Sequence, residues 1–235
     1  KRQQRQRGEQ KRQEVQAGAQ GERQVAHFAA QGIGYAVAER LLNSPVPFRA
    51  FELRADAEVV ALMKSSFKES PSAKLDRLDQ SPLQIACTEA SRTGKPLDEK
   101  LRDTLQATAL ASVKYPADGK YLGDWKRGEA IAQNGRGLQF TDKVGDVAGG
   151  NCYACHQLDK KEIAYGNIGP TLTGYGKLRG QTDPILKYTW ARIWNSHSFN
   201  ACANMPRFGD AGILTEAQIK DVMALLIDPA SPVNE

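Results

Sequence analysis

The sequence predicts an all-α protein. Apolar residues recur at helical spacing in several segments, and four of these segments begin with residues that commonly cap helix N-termini. No stretch of convincing length alternates apolar and polar residues as a half-buried strand would. With 235 residues, of which 40% are hydrophobic, the chain can bury one ordinary core, or one core and a modest second unit.

Residues 1–24 predict a basic, glutamine-rich arm. They contain seven Lys or Arg, three Glu and eight Gln, so they carry +4 of the formal net charge of +5. With so few apolar side chains, the arm cannot bury enough surface to offset its ordering entropy. We expect it to be solvated, or to dock on an acidic partner. Because the rest of the chain is nearly neutral, we expect no nucleic-acid partner.

Residues 25–115 predict a helical N-terminal extension. Its helical patterns run from about Glu22 to Leu41, over residues 57–67, onward from Ser81, and through Leu97, Leu101 and Leu105. The pattern after Ser81 has the strongest start, with Pro82 at the first helical position and Gln84 placed to complete a capping box. No window approaches 18 consecutive apolar residues, so we expect no membrane span, and we expect any export signal to have been removed already.

Residues 116–235 form the second predicted domain, after a boundary rich in Pro, Gly and Asp. Of its three predicted helices, the first has Asp124 as N-cap, the second has Asp183 as N-cap with Pro184 at the first helical position, and the third begins at a capping box made by Thr215 and Gln218. Between the first two of these helices lie the segment GGNCYACHQL, residues 149–158, and a glycine-rich connector at 166–180. The last helix should end before Asp228 and Pro229.

The CYACH segment at 152–156 carries the chemistry of the chain. A structural zinc site needs four ligands, usually in two paired clusters, whereas Cys87 and Cys202 stand alone. A thioredoxin-type CxxC expects a βαβ frame that the sequence does not show. A haem c tether uses every residue: Cys152 and Cys155 form thioether bonds, and His156 ligates the iron. We therefore predict one covalently attached haem c.

The loop NSHSFNACANMPRFG, residues 195–209, supplies candidates for the second axial ligand. We favour Met205, because Pro206 stiffens the loop that would present its sulfur. Ligation by His197, or by a Cys202 thiolate, stays open as an alternative.

Taken together, CYACH, GNIGPTLTGYG and NMPRFG, followed by a capped C-terminal helix, resemble a class I cytochrome c. GNIGP combined with MPRFG is most similar to SoxX, the small haem subunit of the SoxAX cytochrome of bacterial thiosulfate oxidation. The resemblance covers about residues 120–228. It implies the class I cytochrome c fold for that part, with the Asp124 and Thr215 helices packed together. It also implies that the Pro170 carbonyl accepts a hydrogen bond from His156 Nδ1.

The resemblance also implies an activity and partners. SoxAX joins thiosulfate oxidatively to a cysteine of the SoxYZ carrier protein, the reaction of an L-cysteine S-thiosulfotransferase. This reaction releases two electrons, whereas one c-type haem accepts one at a time, and the chain shows no activated nucleophile. We therefore expect no catalytic residue here, and an electron-relay role between a SoxA-like haem subunit and a downstream acceptor cytochrome.

Two cysteines are left over, Cys87 and Cys202. Haem c is attached outside the bacterial cytoplasm, so we expect a periplasmic protein, and disulfides persist there. The two cysteines most simply pair with each other, the alternative being two inert buried thiols.

Two other functions remain open. A freestanding periplasmic cytochrome would shuttle electrons between redox proteins and leave the extension without a role. A self-sufficient haem enzyme or ligand sensor would need an exchangeable axial position, which Met205 opposes.

Overall fold

The computed structural model describes residues 57–70, 74–137, 142–143 and 145–235. The predicted arm at 1–24 and the predicted helix from Glu22 to Leu41 lie outside these residues. Within the described residues the regular structure is helical and no β-strand forms, so the all-α prediction is confirmed. The division of the chain into three segments stays a prediction.

Three helices belong to the predicted extension: α1 (Ala57–Ser66), α2 (Pro82–Thr93) and α3 (Glu99–Ala111). The capping box predicted at the start of α2 is present, with Ser81 Oγ accepting from Gln84 N and Gln84 Oε1 accepting from Ser81 N. Gly94 ends α2 in the left-handed conformation, which glycine adopts without strain. No residue of α2 is fully buried, whereas α3 buries Ala109.

Four helices follow: α4 (Trp125–Gln133), α5 (Tyr175–Arg179), α6 (Asp183–Trp194) and α7 (Glu216–Ile227). Asp124 caps α4 and Thr215 caps α7 through a capping box, as predicted. Asp183 was expected to cap α6, but the N-cap is Thr182, and Asp183 instead forms an ion pair with Lys187 at 2.7 Å. The short helix α5 lies in the segment predicted as a connector.

Helices α4 and α7 pack against each other through a glycine and a buried carboxylate. Gly128 of α4 lies against the backbone of Asp221, so closely that a Cβ there would meet the Asp221 carbonyl carbon at 2.7 Å. The Asp221 carboxylate accepts two hydrogen bonds of 2.8 Å from the Arg127 guanidinium and one of 2.8 Å from Asp124 N. The carboxylate therefore joins the start of α4 to the middle of α7.

The core lies between α4, α6 and α7, and most of α7 is buried. Trp190 of α6 is fully buried, where it contacts the rings of Tyr121 and Trp194. Val113, just after α3, belongs to the same buried cluster, so this end of the predicted extension is part of the core. Within the described part of the chain, no helix has the length and apolar character needed to cross a bilayer.

Candidate haem site

The two cysteines and the histidine of the CYACH segment lie in one tight turn. A 3-10 helix spans Cys152–Ala154, and the Cys152 carbonyl accepts hydrogen bonds from Cys155 N at 3.1 Å and His156 N at 2.9 Å. Just before this turn, Gly150 N donates to Ile131 O at 2.9 Å, at the end of α4. The segment is therefore fixed to a core helix, and its two thiols and imidazole are held within five residues.

Neither thiol of this turn is activated. Burial raises the pKa of the Cys152 thiol to about 12, and the neighbouring Cys155 adds to the shift. Burial also raises the pKa of the Cys155 thiol. A redox dithiol requires the opposite, because the thiolate is the nucleophile. The environment therefore suits cysteines whose sulfurs are used in covalent attachment rather than in thiol exchange.

The His156 ring is oriented by the segment that follows the tether. Its Nδ1 lies 2.7 Å from the Pro170 carbonyl oxygen, the contact that the resemblance implies. A carbonyl partner makes Nδ1 the donor, so in the neutral imidazole Nε2 is the nitrogen with the lone pair that can bind a metal. Gly169 lies against the ring face, and a Cβ there would come within 2.5 Å of Nδ1 and 2.7 Å of Nε2. Only glycine lets the chain pass this close.

Met205 lies in the loop after α6, partly buried against the core. Its carbonyl oxygen accepts a hydrogen bond of 2.6 Å from Ser196 Oγ. Downstream of it, Gly209 N and Asp210 N both bind the Trp194 carbonyl, at 3.1 and 3.0 Å. The loop is thus closed back onto the end of α6 and the turn that follows it, once at Met205 itself and once downstream of it.

The other two candidate ligands have partners of their own. His197 is buried, and its Nε2 lies 3.2 Å from the Ala203 carbonyl oxygen. Burial, together with the nearby Arg207, lowers the pKa of His197. Cys202 is bonded to Cys87, with their Cα atoms 5.5 Å apart, so the predicted disulfide is present.

The residues of the site fit a c-type haem. Two unpaired cysteines and a histidine with a free Nε2 form the donor set, and Gly169 leaves the ring face uncovered by a side chain. Among the described residues, the buried Trp194 Nε1 has no hydrogen-bond partner, which leaves a donor for an acidic group of a ligand. The sequence motifs did not indicate the roles of Ser196 and Gly169, because each depends on a contact with a residue that is not its neighbour in the chain, Met205 and His156 respectively.

Comparison with known proteins supports this assignment. Residues 125–227 match the family model of cytochrome c. The chain is also 47% identical over 126 residues to a protein described as an uncharacterized lipoprotein from Aquifex aeolicus (strain VF5). The match covers 53% of this chain and 59% of the relative, so the chain spans about three fifths of that protein. Residues 125–227 are a class I cytochrome c domain, the haem-binding domain of electron-transfer proteins, which implies a covalently bound haem c.

Proposed function

We propose that this chain is an electron-transfer cytochrome whose haem c is attached to Cys152 and Cys155, with His156 and Met205 as axial ligands. The observation that carries the proposal is which candidate ligand atoms are already bonded to other groups of the protein. His156 has its Nδ1 bound to a carbonyl and its Nε2 free, whereas His197 Nε2 faces a carbonyl and Cys202 is in a disulfide. Among the described candidates in the loop, Met205 is then the one whose side chain has no competing bond.

Histidine and methionine ligation suits an electron acceptor. A thioether stabilises Fe(II) and raises the reduction potential, so electrons flow towards such a site. The protein contributes a fixed His156 ring, through Pro170 and Gly169, and a fixed Met205 backbone, through Ser196. Fixed ligands keep the geometry of the two oxidation states similar, which lowers the barrier to electron transfer.

We further propose that the cytochrome acts as the relay subunit of a SoxAX-like complex in the periplasm. The support is the combination of GNIGP with MPRFG around the site. In this role the chain has no catalytic residue of its own. It takes electrons from a SoxA-like haem partner, which conjugates thiosulfate to a SoxYZ-like carrier protein, and passes them to a downstream cytochrome. The lipoprotein description of the Aquifex relative agrees with a location in the cell envelope.

A freestanding electron carrier is the second candidate, and the packing of the predicted extension favours it. Val113 lies in the core, and Cys87 is bonded to the Met205 loop. The extension is therefore used, in part, by the chain's own cytochrome domain. No partner subunit is needed to explain why the chain carries this extension.

Replacing Met205 tests the ligand assignment. In the haem-loaded protein, Met205→Ala should lower the reduction potential and let added imidazole bind the ferric iron, because the sixth position becomes open. Met63→Ala is the matched control, since Met63 lies on α1 and is another of the three methionines of the chain. An unchanged potential and an unchanged absorption spectrum in Met205→Ala would overturn His/Met ligation.

The mass of the native assembly tests the relay role. The protein purified gently from its source should appear in native mass spectrometry as a one-to-one complex with a second haem protein. A monomer with a single haem would instead support the freestanding carrier.

A further inference from the structure

The loop that presents Met205 is attached to the N-terminal extension at two separate places. We propose that residues 82–114, here called the brace, position Met205 and so keep its sulfur in place as the axial ligand. The inference rests on the proposed ligation by Met205. It assigns to the extension a role in tuning the haem site, with Cys87, Ser112 and Asn195 as positioning residues.

The first attachment is covalent. Cys87 lies in the middle of α2, and Cys202 lies three residues before Met205. Because no residue of α2 is fully buried, this helix adds little to the hydrophobic core. The bond between Cys87 and Cys202 therefore acts mainly on the Met205 loop. It limits how far the loop can move away from the site.

The second attachment is at the end of α3. Asn195 Nδ2 donates a hydrogen bond of 3.0 Å to Ser112 Oγ, and helix α3 contacts the 3-10 turn at Ser196–Ser198. Two residues after Ser112, the Lys114 carbonyl accepts a hydrogen bond of 2.9 Å from the buried Trp190 Nε1. The end of the brace is thus anchored to the core, so it can hold Asn195 in a fixed position.

A short series of hydrogen bonds connects Asn195 to Met205. Asn195 Oδ1 accepts from His197 N at 3.2 Å, which sets the turn that contains Ser196. The Ser196 carbonyl accepts from Arg192 Nη1 at 2.9 Å, and its hydroxyl donates to the Met205 carbonyl at 2.6 Å. A shift of Asn195 would therefore be transmitted to the Met205 backbone within two contacts.

The brace acts on the equilibrium between a loop with Met205 in place and a loop that has opened. Opening frees chain segments and gains conformational entropy. Two restraints on residues 195–202 reduce this gain, and so they favour the closed loop. Loss of either restraint should raise the fraction of open loop. An added ligand then binds the iron more tightly, because less work is needed to displace Met205.

The test compares brace variants in the haem-loaded protein. Ser112→Ala removes the hydroxyl that accepts the hydrogen bond from Asn195 Nδ2. Thr108→Ala is its control, because Thr108 lies one turn earlier on α3 and its hydroxyl donates to Thr104 O of the same helix, at 2.9 Å. Cys87→Ala with Cys202→Ala removes the disulfide without leaving a free thiol near the iron. The readouts are the affinity of the ferric protein for imidazole and the reduction potential.

We expect imidazole affinity to rise about fivefold in Ser112→Ala, the usual net effect of one lost hydrogen bond. The double cysteine variant should show a rise of about tenfold or more, together with a lower reduction potential. Thr108→Ala should match the parent protein. Unchanged imidazole affinity in Ser112→Ala would overturn the brace, even if the double variant fails to fold.

Two further variants distinguish a local effect on the Met205 loop from a general loss of stability and from a different axial ligand. Asp221→Asn weakens the contact between α4 and α7 away from the loop, so it should lower stability without changing imidazole affinity. If imidazole affinity instead rises in every variant in proportion to its loss of free energy of unfolding, the brace is refuted. Met205→Ala tests the ligation itself. If its haem absorption spectrum equals that of the parent protein, Met205 is not the ligand. If its spectrum changes but the brace variants keep the imidazole affinity of the parent protein, only the brace is refuted.

Discussion

The contact between α4 and α7 can be tested with a single methyl group. Gly128 lies inside α4, where alanine would normally stabilise a helix by about 1 kcal/mol relative to glycine. Here the nearest atom to an added Cβ would be the Asp221 carbonyl oxygen, followed by the Asp221 carbonyl carbon at 2.7 Å and Leu225 Cβ at 3.0 Å. Because carbon atoms prefer a separation of about 3.5 to 4.0 Å, the two helices would have to move apart by about 1 Å.

The sign of the effect of Gly128→Ala therefore depends on this contact. Overpacking costs about 1–3 kcal/mol, and a contact against backbone atoms belongs in the upper part of that range, at about 2–3 kcal/mol, of which the gain in helix propensity offsets about 1 kcal/mol. We expect a net loss of about 1–2 kcal/mol, which lowers Tm by about 2–8 °C in a protein of this size. Unfolding of the haem-loaded protein, followed by circular dichroism, measures both quantities.

Gly135→Ala is the control for this experiment. At Gly135 the nearest atom to an added Cβ would be Asn151 Nδ2 at 3.4 Å, an ordinary contact, so Tm should change little. If Gly128→Ala raises the Tm, as helix propensity alone would predict, then α4 and α7 do not pack as described.

Three other predictions follow from the site. Gly169→Ala should displace the His156 ring, since the methyl group would lie 2.7 Å from Nε2, and the haem spectrum of the purified protein should change, whereas that of Gly135→Ala should not. Tyr153→Phe should resist alkaline unfolding. Burial, and next the charge of Asp159, raise the pKa of the Tyr153 hydroxyl to about 12 from an ordinary value near 10. The native protein therefore loses stability as pH rises from about 10 to about 12, because the unfolded chain releases this proton more easily. Tyr153→Phe should lose less of its free energy of unfolding over this pH range. If the free energies of unfolding of the two proteins fall equally between pH of about 10 and about 12, the pKa of Tyr153 is not raised. Thiol titration of the unfolded, unreduced haem-loaded protein should find no free thiol among its four cysteines, and two free thiols would rule out the Cys87–Cys202 disulfide.

The starts of helices could be predicted from the sequence because capping is local. The capping boxes at Ser81 and Thr215 lie within four residues of chain, and both form as predicted. At the start of α6 the N-cap differs from the prediction by one residue: it is Thr182, and Asp183, the first helical residue, pairs with Lys187 one turn later. Helix α5 was missed because its five residues contain a glycine and few apolar side chains.

The site was predictable only where its chemistry is contained in a short motif. The spacing of the motif predicts the roles of Cys152, Cys155 and His156, and a proline-containing loop is the basis for proposing Met205. The contacts that hold Met205 could not be foreseen in the same way. Ser112 and Asn195 are 83 residues apart, and neither belongs to a pattern that would distinguish it from other polar loop residues. Only the folded chain brings them together.

The packing of the predicted extension affects the choice between the two proposed functions. Amphipathic helices in the predicted extension would by themselves favour a partner subunit, because their apolar faces need to be covered. The structure covers the end of α3 with the chain's own core, through Ala109 and Val113. On α2, Ile85 stays 55% exposed and the helix is held by a disulfide rather than by packing. Self-packing of α3 removes most of the reason for inferring a partner from the extension. The relay role in a SoxAX-like complex therefore depends on the motifs around the haem site, and the native mass measurement has to decide it.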